Sequence, residues 1–186
     1  MLMADTFAIF FAVLGAVLGH VGLWLLSRGL FPRATKAAAE VTERGVVLPL
    51  LAGIPTVLGT IVVAIVASSI FGGVGKALAV VVIATWVFYA NVGVAGLVEI
   101  VGGRLARRDG AERERGPFGD VVRGGAALSF AWMLPLLGWF GLLPLSLLVG
   151  AGAVTIGGVR RLLALETRAQ PAATKLDVTA PVSTWR

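Results

Sequence analysis

Glu99 and His20 are ionisable groups set in long apolar runs, and Trp86, Tyr89 and Asn91 add polar atoms to one of those runs. In hydrocarbon an ionisable side chain is costly, so the first reading of each is functional: a proton or cation site at Glu99, a metal ligand at His20. Glu99 stands five residues before Arg104. It is therefore expected to snorkel to the interface or to pair with nearby arginines, the cation site being the alternative. His20 has no second His or carboxylate cluster to complete a metal shell, and is expected to be a neutral, hydrogen-bonded packing residue. Asn91 needs an interhelical partner or water, and its expected role is polar glue. A substrate pocket around Asn91 and Tyr89 would need convergent polar groups from other segments, for which Ser129, Thr155 and Thr60 are the candidates.

Catalysis has no obvious carriers. The chain contains no phosphate-cradling Walker loop, no HExxH, no GxSxG elbow and no carboxylate pair within an apolar run. Cysteine is absent, which excludes disulfides, thiolate metal sites and thiol nucleophiles. The expectation is a non-enzyme without cofactor or metal.

The elements that carry these residues follow from composition. Of the 186 residues, 58% are hydrophobic and only 14% charged, against about a quarter charged in soluble domains. Apolar residues gather in long runs with the charges between them, as a bilayer imposes. Residues 7–26 form the first expected span. Pro32 then breaks the helix, and 27–44 reads as a short interfacial helix with Lys36, Glu40 and Arg44 at i,i+4 spacing. A second span within 46–71 contains Pro49 and Pro55, a turn at Gly72, Gly73 and Gly75 follows, and a third span covers 77–101. The run 124–158 would be about 50 Å long as one helix, too long for one crossing. Dividing it at Pro135, Gly138, Gly141 and Pro144 gives spans at 122–137 and 143–159, joined as a tight hairpin.

Charge placement sets the orientation, because cytoplasmic loops carry the excess of Lys and Arg. Only Asp5 precedes the first run, while Arg28 and Arg33 follow it, so the first span reads as a retained, reversed anchor. With the N-terminus outside and the C-terminus inside, Arg104, Arg107, Arg108, Arg113 and Arg115 form a basic cytoplasmic face, and only Lys76 is left outside. A hairpin re-entering from the inside keeps the same charge pattern. The expected fold is thus an all-α integral membrane bundle of about five transmembrane helices in one domain, residues 1–165, with a flexible cytoplasmic tail at 166–186. Trp24 and Trp139 are expected to anchor at the interfaces.

Gly15 and Gly19 form a GxxxG pattern, and Gly93, Gly96, Gly150 and Gly152 mark other places where helices can approach closely, within the chain or with a partner. The stretch 124–161, with Leu134-Pro135-Leu136-Leu137-Gly138-Trp139 and Gly150-Ala151-Gly152-Ala153, resembles the membrane module of integral bactofilin-type bacterial proteins. Members of that family couple such spans to a polymer-forming β-helical domain, for which these 186 residues have no room. The resemblance implies a small module of the bacterial cytoplasmic membrane that anchors or organises other components. The expected function is accordingly a non-catalytic scaffold or accessory subunit in contact with other membrane subunits or further copies of itself. Its basic face would be open to anionic lipid headgroups, with no nucleic-acid partner. The rival expectation is a small transporter or channel using Glu99 and Asn91.

Overall fold

The computed structural model describes residues 2–70, 72–108 and 116–169. The loop 109–115, with Arg113 and Arg115, and the tail from residue 170 lie outside the described residues. The described elements are all helical: α1 (Leu2–Leu30), α2 (Pro32–Glu43), α3 (Val47–Ile70), α4 (Gly72–Arg108), α5 (Gly116–Trp132), a π-helical turn (Leu137–Leu142) and α6 (Leu143–Ala169). Four stretches, Met3–Leu30, Val47–Ile70, Gly72–Arg108 and Leu137–Ala164, are long and apolar enough to cross a membrane, the make-up of a multi-pass membrane protein. Helix α6 runs past the expected start of the tail at 166.

Local sequence explains the joints. Phe31 leaves the helical region (φ −121, ψ 51) and Pro32 opens α2, where its missing N–H costs nothing. Gly72 takes a left-handed φ of 54, which only glycine adopts freely, while Gly73 and Gly75 are already helical. Helix α3 passes through Pro55 without a break, and next to it the Thr56 hydroxyl donates to the Gly53 carbonyl at 2.6 Å.

Helices in lipid gain no hydrophobic drive from each other, so they associate where small residues let backbones meet. Here a Cβ on Gly93 would strike the Gly150 backbone, and one on Gly150 the Ala90 carbonyl, which locks α4 to α6. Gly152 and Gly53 do the same between α6 and α3, against Pro49 and Leu148. On α4, Gly96 admits the Thr35–Ala39 turn of α2, and Gly157 of α6 faces Ala37. Helix α2 is therefore packed against α4 and α6, with Ala37, Ala38 and Val41 buried and Arg33, Lys36, Glu40 and Glu43 exposed on its other face.

Helix α5 runs antiparallel to α4: Gly102 meets the Asp120 backbone, and Gly124 meets that of Val98. Continuing this register two turns, or about 12 Å, brings Trp132, the last residue of α5, level with the region of Ala90. Trp132 indeed packs with Val94, Ala95 and Val98, and Leu143 and Leu147 of α6 pack on the same cluster. Gly150 of α6 meets Ala90 in turn, so the seven residues of α6 before it, back to Leu143, carry that arm about 10 Å past this level toward Gly72, and the π-helical turn lies beyond. The expected fourth span, 122–137, coincides with the 17-residue α5 over 122–132, and its last residues lie in the turn that follows.

The turn between α5 and α6 exposes Leu136 (77%), Leu137, Trp139 (67%) and Phe140 (79%). Its backbone stays bonded in helical fashion, with Gly138 N–H donating to Leu134 C=O at 2.8 Å and Phe140 N–H to Leu136 C=O at 3.2 Å. Apolar side chains outside and satisfied amides inside are what hydrocarbon demands of a turn.

Helix α1 touches the bundle through its second half. Residues 3–15 are exposed, and Gly15 and Gly19 have nothing within 4 Å, so this GxxxG pair packs against no helix among the described residues. Trp24, expected as an interfacial anchor, is instead fully buried, because Gly125 of α5 leaves room for its ring.

These contacts predict opposite effects for the same substitution. Gly150→Ala, which meets backbone, should lower stability by about 1–3 kcal/mol. Gly59→Ala, which meets nothing within 4 Å, should raise it by about 0.5–1 kcal/mol through helix propensity. Thermal unfolding in detergent, followed by circular dichroism, measures both.

Candidate functional site

At the Arg-rich end of α4 the chain buries an ion pair. Arg28, in the last turn of α1, is 5% exposed, and its Nη2 lies 3.0 Å from Oε1 of Glu99, which is 19% exposed. The elbow at Phe31 and Pro32 folds α2 back over the guanidinium. Nη1 then donates to the Thr35 hydroxyl at 3.1 Å and to the Pro32 carbonyl at 3.2 Å, while Thr35 is itself held by the Phe31 carbonyl at 3.1 Å. Glu99 therefore does not pair with the arginines that follow it on its own helix. Its partner comes from 71 residues away in the chain, because Gly96 lets α2 and the end of α1 come close. The second carboxylate oxygen, Oε2, is buried and has no partner.

Beyond Glu99 lies an open pocket of about 360 Å³. Helix α2 contributes Lys36, Glu40 and Glu43, α4 contributes Gly103 and Arg107, and α5 contributes Asp120. Sequence reasoning treated Lys36 and Glu40 as a helix-stabilising pair and Arg28 as an orientation signal, and gave Asp120 no role. The available signal was the i, i+4, i+7 spacing of Lys36, Glu40 and Glu43 on one face of a helix.

The remaining polar candidates do not join this pocket. Asn91 and Tyr89 lie about 12 and 15 Å from Glu99 along α4. Asn91 Nδ2 donates to the Val87 carbonyl of its own helix at 2.9 Å, so the expected interhelical glue is absent from that bond. The glue is supplied instead by Tyr89 with Thr155 of α6 at 2.9 Å, and by Trp86 Nε1, which donates to Thr56 of α3 at 3.3 Å. Thr60, Thr85, Trp86 and Tyr89 border a mainly apolar groove, also of about 360 Å³.

His20 donates from Nδ1 to the Ala16 carbonyl at 2.8 Å, and its ring packs 5.8 Å from Trp24 and 5.2 Å from Trp132. The two indoles stack edge to face at 5.4 Å. This aromatic cluster, with buried Ser129, ties α1 to α5 as packing. Among the described residues no group of three His, Asp or Glu is placed to hold a metal ion.

No family model, curated protein or solved structure matches this chain. The geometry therefore carries the functional reading by itself.

The ion pair makes a clear thermodynamic prediction. Removing one partner strands a buried charge, so Arg28→Ala should cost on the order of 3 kcal/mol. The double variant Arg28→Met with Glu99→Leu should recover most of that loss, since an apolar pair of similar volume has no desolvation to offset. Unfolding midpoints of the two singles and the double test this, and equal stability of all forms would mean the pair contributes nothing.

Proposed function

We propose that this chain is a non-catalytic scaffold or accessory subunit of a bacterial cytoplasmic-membrane complex. The observation that carries the reading is a division of labour. Four intramembrane polar side chains are bonded within the chain: Glu99 through one oxygen to Arg28, Tyr89 to Thr155, Asn91 to Val87 and His20 to Ala16, while Glu99 Oε2, Ser129 Oγ and the Trp24 and Trp132 indole N–H groups are buried without a partner. Residues 3–15 of α1 are exposed, and Gly15 and Gly19 meet no other helix among the described residues. A transporter needs polar groups that face a path and exchange partners, and this geometry gives that rival less support. The uncovered length of α1 is the surface open to a partner helix or to lipid.

The proposed topology has the N-terminus outside and the C-terminus inside. Helices α1, α3 and α4 cross the bilayer. Helices α5 and α6 form a hairpin that enters from the inside, turns within the hydrocarbon and returns. The exposed apolar turn supports this over five full crossings, and the positive-inside distribution, including Arg104, Arg107 and Arg108, fits it equally well.

Extraction of the tagged chain in mild detergent followed by native mass analysis should show a stable complex with another membrane chain. That partner should be lost on Gly19→Ile and kept on Gly59→Ile. A lone chain whose proteoliposomes carry a flux sensitive to Glu99→Gln would overturn the scaffold reading. Because native cysteine is absent, topology is open to single-cysteine labelling with an impermeant maleimide. Lys76→Cys should label from outside and Arg108→Cys from inside, while Phe140→Cys should resist both; labelling of Phe140→Cys from outside would restore five crossings.

A further inference from the structure

The charged pocket beside Glu99 combines features that a structural ion pair does not require. Four carboxylates, on Glu40, Glu43, Glu99 and Asp120, share it with two cations, Lys36 and Arg107. A plain anion would meet the carboxylates, and a plain cation would meet Lys36 and Arg107. A ligand carrying both charges, a cationic group for the acids and an anionic group for the bases, is complementary to the whole.

We propose that this pocket seats the headgroup of a primary-amine phospholipid, with its ammonium toward Glu99 and its phosphate toward Lys36 and Arg107. The unpartnered Glu99 Oε2 is the first reason. A buried carboxylate oxygen without a donor is unfavourable, and an ammonium brings three N–H donors. The second is the lining: it contains no aromatic side chain, so it has no cage for a quaternary ammonium, and trimethylation would remove every donor. The third is shape. Gly103 leaves space between α2 and α5, since a Cβ there would stand 3.6 Å from Asp120 Oδ2 and 4.0 Å from Arg107 Nη2. A volume of about 360 Å³ is near the low end for small-ligand sites, enough for a headgroup whose acyl chains stay in the bilayer. Lastly, the pocket lies at the Arg-rich end of α4, where positive-inside placement puts the headgroup layer.

The proposal rests on the membrane reading above and is independent of the scaffold role, because lipid selectivity is read in micelles whether or not a partner is bound. The test is native mass spectrometry of the full chain in detergent with phosphatidylethanolamine, phosphatidylcholine or phosphatidylglycerol of identical acyl chains. Retention of the ethanolamine lipid should exceed that of the other two by about tenfold, the effect of one charge-assisted hydrogen bond. Gly103→Leu should abolish the preference with little change in unfolding midpoint, since only side-chain ends face that position. Glu43→Gln, at the pocket wall, should weaken it. Equal retention of the three lipids, or an undiminished preference in Gly103→Leu, overturns the proposal. Soluble phosphoethanolamine separates the sources: failure to displace the bound lipid at millimolar concentration supports a lipid site, and full displacement assigns the pocket to a free solute instead.

Discussion

Backbone-to-backbone contact at glycine is the constraint on which the rest of this structure depends. In an apolar solvent, leucine against leucine gains nothing that leucine against lipid does not already have. Association must come from many short contacts, and those are reached only where the side chain is missing. Gly93 with Gly150, Gly152 with Pro49, and Gly124 with Val98 set three helix pairs at the closest approach a polypeptide allows. The positions of α2, the hairpin and the charged pocket all follow from these registers. Had Gly96 carried a side chain, α2 would stand off from α4, and Arg28 would lose the Thr35 hydroxyl that orients it.

The Arg28–Glu99 pair is then a consequence with its own role. Burying two charges costs several kcal/mol each before their attraction is counted, so the pair is poor evidence of stability and better evidence of specificity. Arg28 binds two separate helices: the first turn of α2, through Pro32 and Thr35, and α4, through Glu99. A guanidinium suits this task because its donors point in fixed, divergent directions. It fixes the angle at which α2 leaves α1, and that angle places Lys36, Glu40 and Glu43 in one wall of the pocket.

The long helices could be read from the chain because the bilayer writes its thickness into the spacing of charges. The apolar runs at 7–26 and 77–101 fall within long helices, and the run at 46–71 contains the helix Val47–Ile70. The packing glycines were legible as a class and not one by one. Gly15 and Gly19 have the same spacing as any GxxxG pair and meet nothing, whereas Gly53, Gly102 and Gly124 meet backbone without standing out in sequence. Spacing reports what one helix offers, and contact depends on what faces it. The same limit hid the partner of Glu99, since proximity in sequence pointed to Arg104 and the elbow at Pro32 delivered Arg28. The end of α5 at Trp132 was hidden too, because the apolar run continues past it through the turn at 133–142.

Helix α2, packed beside Gly96 and Gly157, makes the protein unequal along its length. It joins the bundle at the Arg-rich end of α4, and among the described residues no helix matches it at the Gly72 end. Seen from the lipid, the molecule is a wedge that claims more lateral area in one leaflet than in the other. Bilayer bending adjusts that same difference in area, so the protein favours membrane that is convex on its broad side and resists the opposite bend. Its partitioning between small and large vesicles, reconstituted in either orientation, reads this coupling between molecular outline and membrane curvature directly.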